Sequence, residues 1–180
     1  MDPVSSEVTI ARPREEVYDY LADMANHAEF TDHYLTDWHL TREDSYGPGA
    51  GARFRVKAPL NRFAWGDSTF TEMQAPRLIV ERGRTGKYNR VLTRGVYELE
   101  EGSGGTTRVR FTLETKPKTL SDKLLEAFGA RAWFKRRNGK AMRRLRDILE
   151  EDRGRGARVT VAGGARKPAS AYRFTSDAKR

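Results

Sequence analysis

The stretch TLSDKLLEAFGARAWFKRRNGKAMRRLRDILEE, residues 119–151, carries the longest helical pattern in the chain. Thr119 followed by Asp122 fits a capping box, with the threonine oxygen free to accept a backbone N–H of the first turn. At about 100° per residue an apolar stripe appears. It runs through Leu120, Leu124, Ala127 and Phe128, then Phe134, Ala141, Met142, Leu145, Ile148 and Leu149. The stripe is broken in its middle, where Arg131, Lys135 and Asn138 fall on the same face. Gly129 and Gly139 bracket the break, and each weakens a helix locally.

Two readings of that middle are open. In one, the helix lies over a cavity: its apolar ends seal against a sheet and Arg131 and Asn138 face something polar. In the other, a kink at a glycine turns all three polar residues to solvent, where basic side chains usually are. Trp133 lies on the opposite face.

Outward from the helix, the chain changes character on both sides. A length of 180 residues suits one domain with a sizeable core. There is no cysteine, which excludes disulfides, thiol nucleophiles and thiolate metal sites. The first residues, MDPVSSEV, show no basic and apolar leader pattern, and no run is long enough to span a bilayer, so a cytoplasmic protein is expected. The net charge is +9, but eight of the 34 Lys/Arg and only one of the 25 Asp/Glu lie in residues 153–180. Residues 1–152 are therefore expected to form a nearly neutral domain and residues 153–180 a basic disordered tail, since the tail has little apolar content. Its Arg-Gly steps with Tyr172 and Phe174 offer a route to nucleic acid or an anionic surface, and only through the tail.

Before the helix, residues 4–11 read as a strand with Val4, Ser6, Val8 and Ile10 on one face. Pro13, Glu15 and Glu16 then suit a helix start, and Val17, Tyr18, Leu21 and Ala22 supply a short apolar stripe. A second short helix or turn covers about 24–33. From Leu35 the period is two. Strands are expected at 35–40, 52–56, 62–73, 78–84, 90–100 and 108–115, with Gly66 a candidate bulge that leaves the phase of 62–73 open. Short turns such as GPGAG, residues 47–51, and EEGSGG, residues 100–105, imply an antiparallel meander. The long helix is the element able to cover its apolar face.

This order resembles the START-like, or SRPBCC, superfamily and its polyketide cyclase/dehydrase and lipid-transport branch. EVTIARPREEVYDYLADMANHAEF, FTEMQAPRLIVERG, GGTTRVRFTLETKP and MRRLRDILEE carry the resemblance. The family implies an α+β helix-grip fold: a seven-stranded antiparallel sheet wrapped around a long C-terminal helix, with two short helices after strand 1. It also implies a hydrophobic cavity for a lipid, polyketide, quinone or similar molecule. DMANHAEF further resembles coenzyme Q-binding proteins and their ribosome-associated relatives.

Site chemistry is sparse. His27, His33 and His39 match no metal-ligand spacing, and GPGAG joins two strands instead of opening a helix, so it is no phosphate loop. No catalytic set, cofactor or metal signature emerges, and Asp67 and Glu72 cannot be placed on one face. Trp38, Phe54, Tyr97, Phe111, Phe128, Phe134 and Met142 form the expected inward set, with Trp65 joining if its strand phase allows. Tyr97, Arg131 and Asn138 are its polar members. Aromatic residues at period two can equally fill a core. The expectation is a binding or carrier protein for an apolar small molecule. An aromatase/cyclase- or dehydratase-type enzyme and a ribosome- or RNA-associated module are the alternatives.

Overall fold

The computed structural model describes residues 2–58, 65–117, 129–156, 159–161 and 164–165. The first strand, β1 (Val4–Ile10), leads into α1 (Arg14–Leu21), a 3-10 turn at Met24–Asn26 and α2 (His27–Thr31). Six strands follow: β2 (Leu35–Leu40), β3 (Gly51–Val56), β4 (Trp65–Gln74), β5 (Leu78–Thr85), β6 (Val91–Glu101) and β7 (Thr107–Pro117). The long helix α3 spans Ala130–Glu151. These seven strands form one antiparallel sheet in the order β1-β7-β6-β5-β4-β3-β2. Period-two sequences joined by tight turns can pair only with their neighbours in this way; β1 closes the order by pairing with β7.

The apolar positions alternate onto one face. Ile79, Tyr97, Leu99, Val109 and Phe111 are buried there, while Arg82, Arg94, Arg108 and Arg110 point outward. The phase of β4 is set by a register shift between Phe70 and Glu72, not by Gly66. Trp65 therefore lies on the outer face, 38% exposed, and does not join the inward set.

Helix α3 runs along β1. Arg131 at one end reaches Asp2 (3.9 Å), and at the other Arg12 Nε donates to the Leu149 carbonyl (2.9 Å). Ala141, Met142, Leu145 and Ile148 are buried against the sheet. Removing a fully enclosed side chain such as Leu145 by substitution to alanine costs about 2–5 kcal/mol. The helix described begins after Gly129, whose φ of +86° lies in the left-handed region. A left-handed residue does not continue a right-handed helix, so α3 starts at Ala130. The expected start at Thr119, with Leu120, Leu124, Ala127 and the candidate Phe128, lies outside the described residues.

The segment DMANHAEF is buried from end to end, polar residues included. Each of those polar groups has a local partner. Asp23 Oδ1 accepts from the Ala25 N–H (3.0 Å), Asn26 Nδ2 donates to the Tyr20 carbonyl (2.9 Å), His27 Nε2 meets the Leu21 carbonyl (2.8 Å), and Tyr20 donates to Glu29 (2.9 Å). Burial without such partners would be costly.

The start of the tail does not hang free. The Gly156 N–H donates to the Glu29 carbonyl (2.8 Å), Arg155 pairs with the Glu29 carboxylate, and Arg144 Nη2 donates to the Gly154 carbonyl (2.9 Å). Val159 is 2% exposed. Beyond it β8 (Thr160–Val161) joins the sheet parallel to β2, with β9 (Gly164–Ala165) antiparallel to β8. The expectation that residues from 153 onward carry no structure is corrected for 153–156 and 159–161: a buried carboxylate and an open sheet edge both offer them partners.

Candidate functional site

Several inward-facing side chains keep partial exposure: Phe54 on β3, Glu81 on β5, Thr93 on β6, Leu113 on β7 and Phe134 on α3. They border the space between the sheet and α3, where the family resemblance puts a hollow. The floor of that space holds little side-chain volume, because Gly66, Ser68, Gly83 and Gly95 face inward on adjacent strands.

Glu81 stands on this floor. Gly95 lies directly across from it on β6, and the glutamate folds over the space a side chain there would fill. Ser68 Oγ donates to Glu81 Oε2 (3.0 Å). Desolvation dominates over that bond and pushes the carboxyl up to about 7, because burial favours the neutral acid. Glu81 is therefore divided between acid and carboxylate near neutral pH. Tyr97 and Tyr34 lie close enough for its charge to act on them, and burial first, then that charge, raises both phenols above their ordinary range.

Tyr34 joins the floor to the helix. Its hydroxyl donates to Asn138 Oδ1 (3.0 Å), and its ring meets Trp133 edge-on at 5.9 Å. Asn138 is 1% exposed, and its Nδ2 donor has no partner. An unpaired buried donor costs about 1–3 kcal/mol, which a ligand acceptor would recover. The remaining wall is aromatic. Tyr97 and Phe111 lie 4.5 Å apart between ring centroids, Trp38 and Phe54 4.7 Å, and Trp133 and Phe134 4.9 Å. His27 sits behind Tyr97 at 5.5 Å and also packs on Phe30 and Phe70. Burial lowers its pKa to about 4, so it is a neutral core residue.

The structure thus places Trp38, Tyr97, Phe111, Met142 and Asn138 on the inner side, with Phe54 and Phe134 at its partly open margin. Arg131 is not among them. Its side chain is 64% exposed and lies near Asp2, because the first turn of α3 overhangs the start of β1. Lys135 is exposed as well. His33 is tied down: Nε2 meets the Arg137 carbonyl (3.2 Å), and Nδ1 lies 3.3 Å from Arg144. Sequence patterning does not single out Glu81, Ser68, Tyr34 or Trp133 as ligand contacts. The one signal for Glu81 is an acid at an inward position between Ile79 and Gly83. Asp67 and Glu72 both lie on the outer face. No group of His, Asp and Glu able to hold a metal ion occurs among the described residues, nor is any of their helices long and apolar enough to cross a membrane.

Solved structures with this arrangement are distant in sequence. TTHA0849 from Thermus thermophilus superposes with a TM-score of 0.61 at 14% identity, covering 82% of this chain and 96% of that one. The Zhui aromatase/cyclase from Streptomyces sp. R1128 gives 0.61 at 17% identity, covering 84% and 98%. Truncated norcoclaurine synthase from Thalictrum flavum gives 0.61 at 12%, covering 83% and 94%. At such identities the likeness establishes a shared helix-grip fold. No curated protein matches the chain in sequence. The sequence profile of the family described as polyketide cyclase/dehydrase and lipid transport matches residues 1–150, and the chain belongs to that family.

Proposed function

We propose that this chain is a binding protein for a largely apolar small molecule seated between the sheet and α3, with its polar end at Asn138, Tyr34, Tyr97 and Glu81. The observation that carries this reading is the buried Asn138 amide, whose Nδ2 has no partner while its Oδ1 is taken by Tyr34. A ligand carbonyl or hydroxyl suits that donor, and the rings of Trp38, Phe54, Phe111 and Phe134 suit an aromatic or polyene body. Native mass spectrometry of protein purified from its own host tests for a co-purifying molecule. Displacement of 1-anilinonaphthalene-8-sulfonate tests access. The pair Tyr34→Phe with Asn138→Leu removes the polar anchor without leaving a half-satisfied bond. It should weaken oxygenated ligands at least tenfold and leave hydrocarbon binding unchanged. Equal weakening of both sinks the anchor.

A second reading is favoured by Glu81. A carboxyl pushed up to about 7 beside a serine hydroxyl is poised to give and take protons at neutral pH. Two of the similar structures are an aromatase/cyclase and a norcoclaurine synthase, and acid–base work of this kind fits both names. Screening poly-β-ketone substrates for cyclisation or dehydration tests it. Turnover abolished by Glu81→Gln with ligand affinity retained supports an enzyme, and turnover unaffected by that change rejects this role for Glu81.

A further inference from the structure

A groove of about 810 Å³ opens on the opposite, outer side of the sheet. Arg42, Arg82, Arg84, Arg94 and Lys116 line it, against the carboxylates of Asp67 and Glu114. Both acids are engaged: Asp67 Oδ1 accepts the Arg84 backbone N–H (2.9 Å), and Glu114 pairs with Lys116 (3.3 Å). The side chains of Arg42, Arg82, Arg84 and Arg94 form no ion pair or hydrogen bond among the described residues. Arg82 and Arg94 stand directly opposite each other across β5 and β6, a like-charge pairing that works against the sheet. At the other end of the same face the pattern differs. There Arg108 lies 3.8 Å from Glu100, and Arg110 pairs with Glu7. Among the described residues that line the groove, five cations thus stand against two carboxylates, and positive charge is in excess.

The three large apolar side chains that stay exposed among the described residues all flank this groove: Trp65, Tyr88 and Leu92. Leu92 lies in the lining beside Arg84. Trp65 is two residues before Asp67, with the guanidinium carbons of Arg53 and Arg55 at 4.9 and 5.9 Å from its ring. Tyr88, 79% exposed, neighbours Asn89 of the lining and has Lys87 and Arg90 at 5.2 and 5.7 Å. Aromatic rings beside cations, at the rim of a positive groove, are what a single-stranded polynucleotide needs: phosphates follow the guanidiniums and unstacked bases lie on the rings. A bilayer is flat on this scale and meets only the rim.

We propose that the outer face of the sheet binds single-stranded nucleic acid, with phosphates in the groove of Arg42, Arg82, Arg84, Arg94 and Lys116 and bases on Trp65 and Tyr88. This site is separate from the space under α3 and does not depend on what that space holds. It also belongs to the folded domain, not to the basic residues beyond 165.

The test is fluorescence anisotropy of the full chain with labelled twelve-nucleotide oligo-U and oligo-dT, from 50 to 200 mM salt. The C-terminal charges contribute to any affinity, so the comparison between variants decides. Arg82→Thr with Arg94→Thr should weaken binding at least tenfold at 50 mM salt. It should also reduce the slope of log K against log salt by about 1.4, two contacts at about 0.7 each for a single strand. Its melting temperature should be unchanged or raised, since a like-charge pair is gone. Trp65→Leu should weaken binding about fivefold or more with the salt slope kept, because stacking releases no counterions. No binding by the unaltered chain at 50 mM salt overturns the proposal. So does undiminished binding by the double arginine variant. So does loss, in that variant, of binding to phosphatidylglycerol vesicles while oligonucleotide affinity is unchanged.

Discussion

Glu81 lies in the space that a side chain on Gly95 would occupy: a Cβ added there would come within 2.3 Å of Glu81 Oε1. The glycine is thus what lets the carboxyl rest on the sheet floor beside Ser68. The contact is with a flexible side chain, so Gly95→Ala should fold. It should cost about 1 kcal/mol, the worth of the displaced Ser68 bond, and return the Glu81 titration from about 7 toward the ordinary 4.5. Carboxyl ¹³C NMR against pH measures this; a midpoint still near 7 would show that Glu81 needs no room from Gly95. Gly83→Ala is the contrast. There the added carbon would lie 1.8 Å from the Asp67 backbone oxygen, and the backbone itself must move, at a cost of about 3 kcal/mol.

The pH dependences of Glu81 and His27 should oppose each other between about pH 4.5 and 6.5 and leave stability nearly level there, so each is exposed only when the other is removed. Glu81 is raised to about 7, so the folded state holds a proton that the unfolded chain has lost; its contribution to stability declines as pH rises from about 4.5 to 7. His27 is lowered to about 4, so below its ordinary 6.5 the unfolded chain gains a proton the folded state refuses, and its contribution declines as pH drops toward 4. Each shift corresponds to about 3 kcal/mol over its full window. Denaturant melts of Glu81→Gln should show the alkaline decline removed and the acid decline exposed. Phe30, Phe70 and Tyr97 enclose His27, so His27→Gln is the milder probe of the acid limb.

Arg131→Ala should change stability by no more than about 0.5 kcal/mol and leave ligand affinity untouched, as for ordinary surface positions. The side chain is 64% exposed, and its distance to Asp2 is 3.9 Å. A loss above 1 kcal/mol in urea would mean that this end of α3 closes onto the sheet in solution.

Arg155→Ala should destabilise by about 1–3 kcal/mol despite the residue's exposed position, because its partner Glu29 has a side chain only 5% exposed and would keep just the Tyr20 hydroxyl. Truncation after Asp152 should cost more, as it also empties the site of Val159, whereas truncation after Ala165 should be neutral. Thermal melts of the three proteins rank these effects; equal melting temperatures for both truncations would disprove the packed segment.

What could be seen in advance follows physical contrast. Period-two strands and the apolar stripe of α3 stand out because alternating burial leaves alternating residue types, as at Ala52, Phe54 and Val56. Asn138 and Arg131 are seven residues apart and share a helical phase. Periodicity could not separate them, since what does so is where the sheet ends beneath the helix. The phase of β4 was hidden by a bulge at Thr71, which no glycine or proline announces. Glu81 was hidden because Ile79, Glu81 and Gly83 mix apolar, charged and absent side chains on one face, and its setting depends on Gly95, 14 residues onward and on another strand. The packed segment had a small signal in the run Val159, Thr160, Val161, diluted by glycine and arginine around it. The groove on the outer face draws on β4, β5, β6 and β7 together, so only the register reveals it.

The short strand β8 has a consequence for how copies of this protein behave toward one another. It covers β2, the last strand of the seven, at His39. Left bare, that border would present a row of free amide and carbonyl groups able to recruit the same border of a neighbouring molecule. Two residues laid alongside in parallel are enough to spoil that template, because an incoming strand finds its first partners taken. A stretch that reads as a loose basic extension should thus lower the tendency of copies to pair edge to edge, and its removal should show first as turbidity in concentrated samples.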